Sequence, residues 1–239
     1  MQRNRLVLLA VAAAIAVVVV VVAVVVLGTG GGSSTPTTTG AIIDSSGSGG
    51  TEAQSIFKGI PQHGDTLGKA TASAVLTVYE DPQCLFCRQW DVDTLPTVVA
   101  NYVRTGRIQL QYHGIPIIGE NSIAGLRAIY AAGIQSKLWN MTVALYERQG
   151  EENSGWITIP VLKDAAVEVG AKPAKLITDA DSKQVTAELK ASFNDAKAAK
   201  VGGTPTFVLQ KTLGVPQVLN VTGLEPDQFT PTLDAALQQ

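Results

Sequence analysis

The chain has 239 residues, of which 46% are hydrophobic and 16% charged, and its 20 acidic and 18 basic side chains give a formal net charge of −2. The sequence shows neither a basic stripe nor an acidic tail, so nucleic acid is excluded as an expected partner. Both cysteines stand in one short motif, so the fold is not expected to depend on a framework of disulfides.

The first predicted element is a membrane helix. Residues 6–27 contain no polar or charged side chain, and a helix of that length spans roughly 33 Å, enough to cross a hydrocarbon core of about 30 Å. Arg3 and Arg5 precede the run and no basic residue follows until Lys58, which predicts a cytoplasmic stub of residues 1–5. A cleaved signal peptide is the alternative, but its apolar region is usually only about 7–15 residues long. We expect a retained single-pass helix in the cell membrane, with the rest of the chain extracytoplasmic.

The next segment, residues 28–55, is predicted to be a flexible linker. Gly, Ser and Thr dominate it, charge is almost absent, and there is too little apolar surface for a core. The remaining residues, 56–239, are enough for one domain with a hydrophobic core.

A strand, a helix and a second strand open this domain. Residues 74–79 (AVLTVY) are apolar and rich in β-branched side chains, which is typical of a strand. The CLFC sequence of residues 84–87 begins a helix, which Pro96 should kink or restart and Gly106 should end. Residues 107–113 (RIQLQYH) alternate and predict a second strand. Strand, helix and strand within about forty residues predict a βαβ unit with parallel strands.

A helical block of about residues 121–200 follows. Its pattern is helical throughout; Ser122 is expected to cap the first helix, and Thr158, with a proline two residues later, to cap another. Pro173 and Asp181 are expected to begin further helical segments.

The period then changes to that of strands. Residues 206–210 and 215–221 predict two strands, and their close spacing indicates an antiparallel hairpin. Residues 225–237 predict an amphipathic helix at the end of the domain. The order β-α-β, helical block, β-β-α predicts an α/β fold with a helical insertion.

The two cysteines of the CLFC sequence can hold half of a metal site, form a structural disulfide or carry out redox chemistry. A structural zinc site needs four ligands, and the only histidines, His63 and His113, are fifty residues apart and lack the usual spacing. A structural disulfide would close a very short loop, for which the gain in chain entropy is small. Redox chemistry at Cys84 and Cys87, without a metal or another cofactor, is the remaining interpretation.

The two cysteines are expected to have different roles. Cys84 stands at the helix start, where partial positive charge and free backbone N–H groups stabilise a thiolate, so it is predicted to be the nucleophile. Cys87 lies one turn further along and is predicted to be the resolving thiol. Glu80 and Asp81 oppose the helix, because nearby carboxylates raise the pKa of a thiol. The sequence alone does not decide which influence is larger.

These motifs resemble a known family. A strand ending in D-x-x-C-x-x-C (residues 81–87), an inserted helical block and then GGTPTF (residues 202–207) are similar to the DsbA-like branch of the thioredoxin superfamily. The resemblance covers residues 57–239. It implies a thioredoxin fold with an inserted helical subdomain, and thiol–disulfide oxidoreductase activity.

The resemblance also implies a substrate-binding surface. Pro205 should follow a cis peptide bond, with Thr204-Pro205 facing the cysteines and the backbone of Thr204 pairing with an extended substrate strand. Phe86 is expected on the same surface. It also departs from the family, since strongly oxidising members carry Pro-His between the cysteines, and Phe86 provides neither a hydrogen bond nor a charge. The disulfide is therefore expected to be less oxidising, and the direction of electron flow stays open.

Two further residues near the motif each have two interpretations. Trp90 is expected in the core rather than at the rim of the active site. His113 ends a predicted strand and is expected to be partly exposed rather than a proton shuttle.

Three functional hypotheses follow. The first is a membrane-tethered oxidoreductase that exchanges disulfides with exported, cysteine-containing proteins and has a redox partner in the membrane. The second is a reductase or isomerase supplied with electrons by a membrane donor. The third is a non-catalytic thioredoxin-fold module that binds a partner through the apolar surface around Leu85, Phe86 and Pro205.

Overall fold

The computed structural model describes residues 54–238. In this part the strands are β1 (Gln62–His63), β2 (Thr66–Leu67), β3 (Ala74–Glu80), β4 (Ile108–Gly114), β5 (Thr206–Lys211) and β6 (Gln217–Val218). The α-helices are α1 (Leu85–Gln89), α2 (Leu95–Val98), α3 (Asn121–Gly133), α4 (Leu138–Glu147), α5 (Ile159–Glu168), α6 (Pro173–Ala180), α7 (Lys183–Ala198) and α8 (Pro226–Gln238). A π-helical turn, Trp90–Thr94, joins α1 to α2, and a second one, Val99–Val103, continues the helical segment after α2. We call residues 85–103 the motif helix.

The predicted cytoplasmic stub, membrane helix and nearly all of the predicted linker lie outside the described residues. Between residues 54 and 238, no helix is both long and apolar enough to cross a membrane. The described part begins two residues before the predicted end of the linker, and Gln54 already hydrogen-bonds to the backbone carbonyl of Asn140 through its Nε2 at 3.3 Å. Gln54, which falls in the predicted linker, therefore contacts the domain.

A single mixed sheet organises the fold. Its strand order is β1-β2-β4-β3-β5-β6, with β3 parallel to β4 and the other neighbours antiparallel. The parallel pair connected by the motif helix confirms the predicted βαβ unit, and the antiparallel pairing of β5 with β6 confirms the predicted hairpin. The apolar run of β3 is explained by its central position, since both of its edges are paired.

The motif helix covers one face of this sheet. Trp90, fully buried, packs against Phe207 of β5 and Phe229 of α8, with ring centroids 5.2 and 6.1 Å away. This confirms that Trp90 belongs to the core. Pro96 is in the first turn of α2, directly after a π-helical turn, which confirms the predicted restart. At that position the missing N–H of proline costs little.

The helical block is less regular than the sequence indicates. Residues 149–158 between α4 and α5 form turns and irregular backbone, because Asn153 and Gly155 have positive φ angles of 57° and 77°. The cap at Thr158 is present: its hydroxyl accepts a 3.5 Å hydrogen bond from the N–H of Val161. The predicted start at Asp181 is two residues early, since Ser182 caps α7.

Ser122 does not cap α3 as predicted. It lies inside the helix, and its hydroxyl donates to Asp81 across the domain. Close contact of α3 with the segment before the cysteines explains Gly125, because a Cβ atom there would stand 2.9 Å from Cγ of Pro82.

Candidate active site

The end of β3 and the start of the motif helix bring the two cysteines to the edge of the sheet. Cys84 occupies the capping position of α1 with an extended backbone, at φ −72° and ψ 122°. Cys87 is the third residue of α1 and is fully buried, while Cys84 is 4% exposed. Both are free thiols in this structure.

The surroundings of Cys84 stabilise its thiolate. The hydrogen bond from the Cys87 thiol has the largest effect, and together with the Thr204 side chain and the backbone N–H groups of Cys87 and Phe86 it lowers the pKa of Cys84 to about 6. Burial acts in the opposite direction but is outweighed. In the thiol form, Sγ of Cys84 donates to the carbonyl oxygen of Thr204 at 3.3 Å. Hydrogen bonds to the sulfur, led by that from the Cys87 thiol, therefore outweigh burial at Cys84.

The surroundings of Cys87 have the opposite effect. Burial, followed by the hydrogen bond to Cys84 and the negative charge of Glu80, raises the pKa of Cys87 well above its usual value. The carboxylate opposition predicted from the sequence thus acts on Cys87 through Glu80. The Cys84 thiol is thus more acidic than a free cysteine, and the Cys87 thiol is less acidic. This difference fits a nucleophile paired with a resolving thiol.

A buried pair of carboxyl groups lies behind Cys87. Burial, and then the charge of Asp91, raises the pKa of Glu80 well above its usual value, and burial raises the pKa of Asp91 to about 7. The hydroxyl of Tyr146 donates to Oε2 of Glu80 at 3.3 Å. In the described part Oε1 of Glu80 and both oxygens of Asp91 are buried without a well-formed hydrogen bond from an N–H or O–H group, although the nearby Thr142 side chain lowers the pKa of Asp91. A proton shared between the two carboxyl groups satisfies these oxygens and lets the pair donate or accept a proton beside Cys87.

Asp81 has a structural role, unlike the Glu80–Asp91 pair. Its carboxylate accepts hydrogen bonds from the backbone N–H groups of Gln83 and Ile118, both at 2.8 Å, and from the hydroxyl of Ser122 at 2.6 Å. Gln83 extends this network, because its Oε1 accepts from the N–H of Asn153 at 2.8 Å. The segment before Cys84 is thereby fastened to the helical block.

Gln149 makes a second contact between the helical block and the segment around Cys84, and sequence analysis missed it. Its Nε2 donates to the carbonyl oxygens of Pro82 at 3.0 Å and Cys84 at 3.1 Å. The residue stands just after α4, more than sixty positions from the motif, so no local pattern marks it.

The predicted substrate-binding residues border Cys84. Leu85 and Phe86 are each 61% exposed, and Thr204 and Pro205 are half-buried. The Thr204-Pro205 peptide bond is cis, as the resemblance implies.

His113 differs from its prediction. It is buried rather than partly exposed, its ring packs edge-on against Tyr79 with centroids 5.1 Å apart, and burial lowers its pKa. Its Nδ1 lies 3.9 Å from Asp195. Among residues 54–238 there is no group of three or more His, Cys, Asp or Glu side chains placed to hold a metal ion.

The family model described as Thioredoxin matches residues 62–214, well over half of the chain. The chain belongs to the thioredoxin family. It is similar to the "Probable disulfide bond formation protein D" of Bacillus anthracis, with 28% identity over 158 residues, which are 63% of this chain and 71% of that protein. It is also similar to the "Disulfide bond formation protein D" of Bacillus subtilis, with 21% identity over 166 residues, which are 67% and 72% of the two chains.

Solved structures share the fold. Oxidised BdbD from Bacillus subtilis superposes with a TM-score of 0.63 at 18% identity, over 73% of this chain and 93% of that one. DsbA2 from Pseudomonas aeruginosa superposes with a TM-score of 0.55 at 20% identity, over 75% and 97%. These findings confirm the predicted DsbA-like branch of the superfamily, and the chain is a thiol–disulfide oxidoreductase.

Proposed function

We propose that this chain is a membrane-tethered oxidant that forms disulfide bonds in exported, cysteine-containing proteins. The observation that carries the proposal is the opposite environment of the two thiols, with the pKa of Cys84 lowered to about 6 and that of Cys87 raised. A stabilised Cys84 thiolate favours the reduced form of the motif, which makes the Cys84–Cys87 disulfide an oxidant. The names of the Bacillus relatives support the same direction.

The proposed reaction begins with a substrate thiolate that attacks Sγ of Cys84 in the oxidised motif. A bond forms between the substrate sulfur and Cys84, the Cys84–Cys87 bond breaks, and Cys87 leaves as a thiolate that takes a proton. Glu80 and Asp91 are the nearby source of that proton, since the pair lies behind Cys87. A second substrate thiolate then attacks the first substrate sulfur, and Cys84 leaves as the stabilised thiolate. The substrate gains one disulfide and the motif gains two electrons.

Phe86, Thr204 and Pro205 are proposed to hold the substrate during this exchange. Phe86 offers exposed apolar surface beside Cys84, and Thr204 lies 3.3 Å from the Cys84 sulfur through its carbonyl oxygen. Repeated turnover then requires that a redox partner in the membrane reoxidises the motif.

Refolding of a reduced protein tests the direction of electron flow. The oxidised full chain should restore disulfides to a reduced, unfolded substrate in stoichiometric amount without glutathione, and the matched control is the chain reduced beforehand. If only the reduced chain acts, by cleaving substrate disulfides, the reductase hypothesis replaces this one. If neither form acts while the chain still binds the unfolded protein, the non-catalytic module is supported.

Membrane tethering is proposed from residues 1–27 and is tested separately. The full-length chain should remain in the membrane fraction after alkaline washing. After intact cells are treated with a reductant, a maleimide that does not cross membranes should label Cys84. A water-soluble form that begins near residue 28 or later would contradict the tether.

A further inference from the structure

A groove of about 550 Å³ opens beside the cysteine motif. Leu85 and Gln83 of the motif line it, together with three glutamates, Glu147, Glu151 and Glu152. All three glutamates are exposed. The groove therefore combines one aliphatic side chain with three carboxylates.

The groove lies next to Cys84, the residue that carries the reacting sulfur. Gln149, which also lines it, donates its Nε2 hydrogen bond to the backbone carbonyl of Cys84 at 3.1 Å. An extended chain advances about 3.3–3.6 Å per residue, so residues close to a substrate cysteine held at Cys84 reach the groove. Its occupant must then be the polypeptide on which the enzyme acts.

The charge of the groove indicates what that polypeptide carries. Arg88 is its only basic lining residue; Nε of Arg88 donates to the carbonyl oxygen of Tyr146 at 3.1 Å. Burial and the charge of Glu168 raise the pKa of Glu147, and the charges of Arg148 and Arg88 oppose this. No basic side chain of residues 54–238 forms an ion pair with Glu151 or Glu152. Two carboxylates are therefore left for a partner.

We propose that this groove selects substrate segments with a lysine or arginine within about two to four residues of the reacting cysteine. The aliphatic part of such a side chain can lie along Leu85 while its charged end reaches Glu151 and Glu152. The inference rests on the proposed function, because it names the substrates of the same site. It makes Glu151 and Glu152 specificity-determining residues, not catalytic ones.

Three peptides that differ only beside one cysteine test the inference. Each contains two cysteines, and the residues two and three positions from the first are both Lys, both Gln or both Glu. The oxidised full chain is mixed with each peptide, and the rate of peptide oxidation is measured at low and at high salt. The wild-type chain should oxidise the Lys peptide about tenfold faster than the Glu peptide at low salt, and salt should reduce this ratio.

The variant E151Q/E152Q decides between the groove and the chemistry of the peptides. A flanking lysine also increases the thiolate fraction of the peptide, so the wild-type ratio alone is not sufficient. E151Q/E152Q should lower the Lys-to-Glu ratio to about twofold. The control D164N/D227N removes two exposed carboxylates outside the groove and should keep the wild-type ratio.

Each other outcome has a distinct meaning. Equal ratios in the wild type and E151Q/E152Q would overturn the groove as a selector, with the proposed function intact. If D164N/D227N lowers the Lys-to-Glu ratio as much as E151Q/E152Q does, the effect comes from net charge, and the inference is also overturned. If the oxidised chain oxidises none of the peptides, the proposed function itself fails.

Discussion

Cys84 and Cys87 are separated by two residues, yet they lie in two very different regions. The outer region consists of Cys84, Phe86 and Thr204-Pro205, and it combines an exposed apolar side chain with hydrogen-bond donors to sulfur. The inner region consists of Cys87, Glu80 and Asp91, all fully buried. The outer region lowers the pKa of its thiol and the inner region raises that of its own. Two identical side chains therefore have opposite roles because the surroundings change completely within one helical turn.

Exchanging each cysteine for serine should give the largest effect. C84S should abolish disulfide exchange with protein substrates, because the attacked sulfur is lost. C87S should retain the first step and accumulate mixed disulfides with substrates, since the resolving thiol is missing. Non-reducing electrophoresis after acid quenching measures both. Accumulation in C84S but not in C87S would reverse the assignment of the two regions.

The carboxyl pair of the inner region should make stability depend on pH. Folding raises the pKa of Asp91 from 3.8 to about 7 and also raises that of Glu80, so the folded state keeps protons that the unfolded chain releases. The stabilisation is complete below about pH 4 and is lost as the pH rises through about 7. The variant D91N should reduce this loss by on the order of 2–4 kcal/mol in urea unfolding of the reduced chain.

A neighbouring carboxylate provides the control for D91N. Asp93 lies on the same π-helical turn but is exposed, so D93N should keep the wild-type pH dependence. If the free energy of unfolding of D91N changes between pH 4 and pH 8 as much as that of the wild type, Asp91 is already ionised in the folded state and the prediction is wrong.

A histidine in the outer region should sharpen the contrast between the thiols. F86H adds a hydrogen-bond donor beside Cys84, which should lower the pKa of Cys84 by about one unit and make the disulfide about 30 mV more oxidising. Thiolate absorbance and equilibration with glutathione measure the two quantities. F86L keeps an exposed apolar side chain and should change neither. If F86H also changes neither, the residues between the cysteines do not set the potential.

Removal of the Thr204 hydroxyl should give the smallest effect. T204V has nearly the same shape but loses a hydrogen bond that stabilises the Cys84 thiolate. The pKa of Cys84 should rise by about half a unit and the disulfide should become about 15 mV less oxidising, because a neutral donor contributes less than a charged one. T204S restores the hydroxyl and should return both values towards the wild type. If T204S raises the pKa of Cys84 as much as T204V does, the effect belongs to packing rather than to the hydroxyl.

Sequence patterns predicted the elements that depend on neighbouring residues. The βαβ unit, the restart at Pro96, the hairpin and the Thr204-Pro205 motif are all visible within short windows. Asp91 was also within reach of sequence analysis: it stands four residues after Cys87, the spacing that places two side chains on the same face of a helix. Its approach to Glu80, however, requires the sheet.

The contacts that could not be predicted join distant parts of the chain. Tyr146 forms a hydrogen bond with Glu80, which is 66 residues away in the sequence, and Gln149 forms one with Cys84, which is 65 residues away. Polar residues in a helical block are common, and nothing local distinguishes those that bond across the domain. Ser122 shows the same limit, because its hydroxyl suits a helix cap by type but donates to Asp81 instead.

The hydrogen bonds of Asp81 limit how this protein can be shortened or recombined. A deletion of the helical block would remove Ser122 and Asn153 together, so that Asp81 would lose the hydrogen bond from the Ser122 hydroxyl and the Gln83 side chain would lose its partners directly before the motif. Buried polar groups that lose their partners cost about 1–3 kcal/mol each. A minimal version made only of the sheet, the motif helix and α8 would therefore lose the support of its own cysteines, and exchange of helical blocks between relatives would succeed only when these partners move as a set.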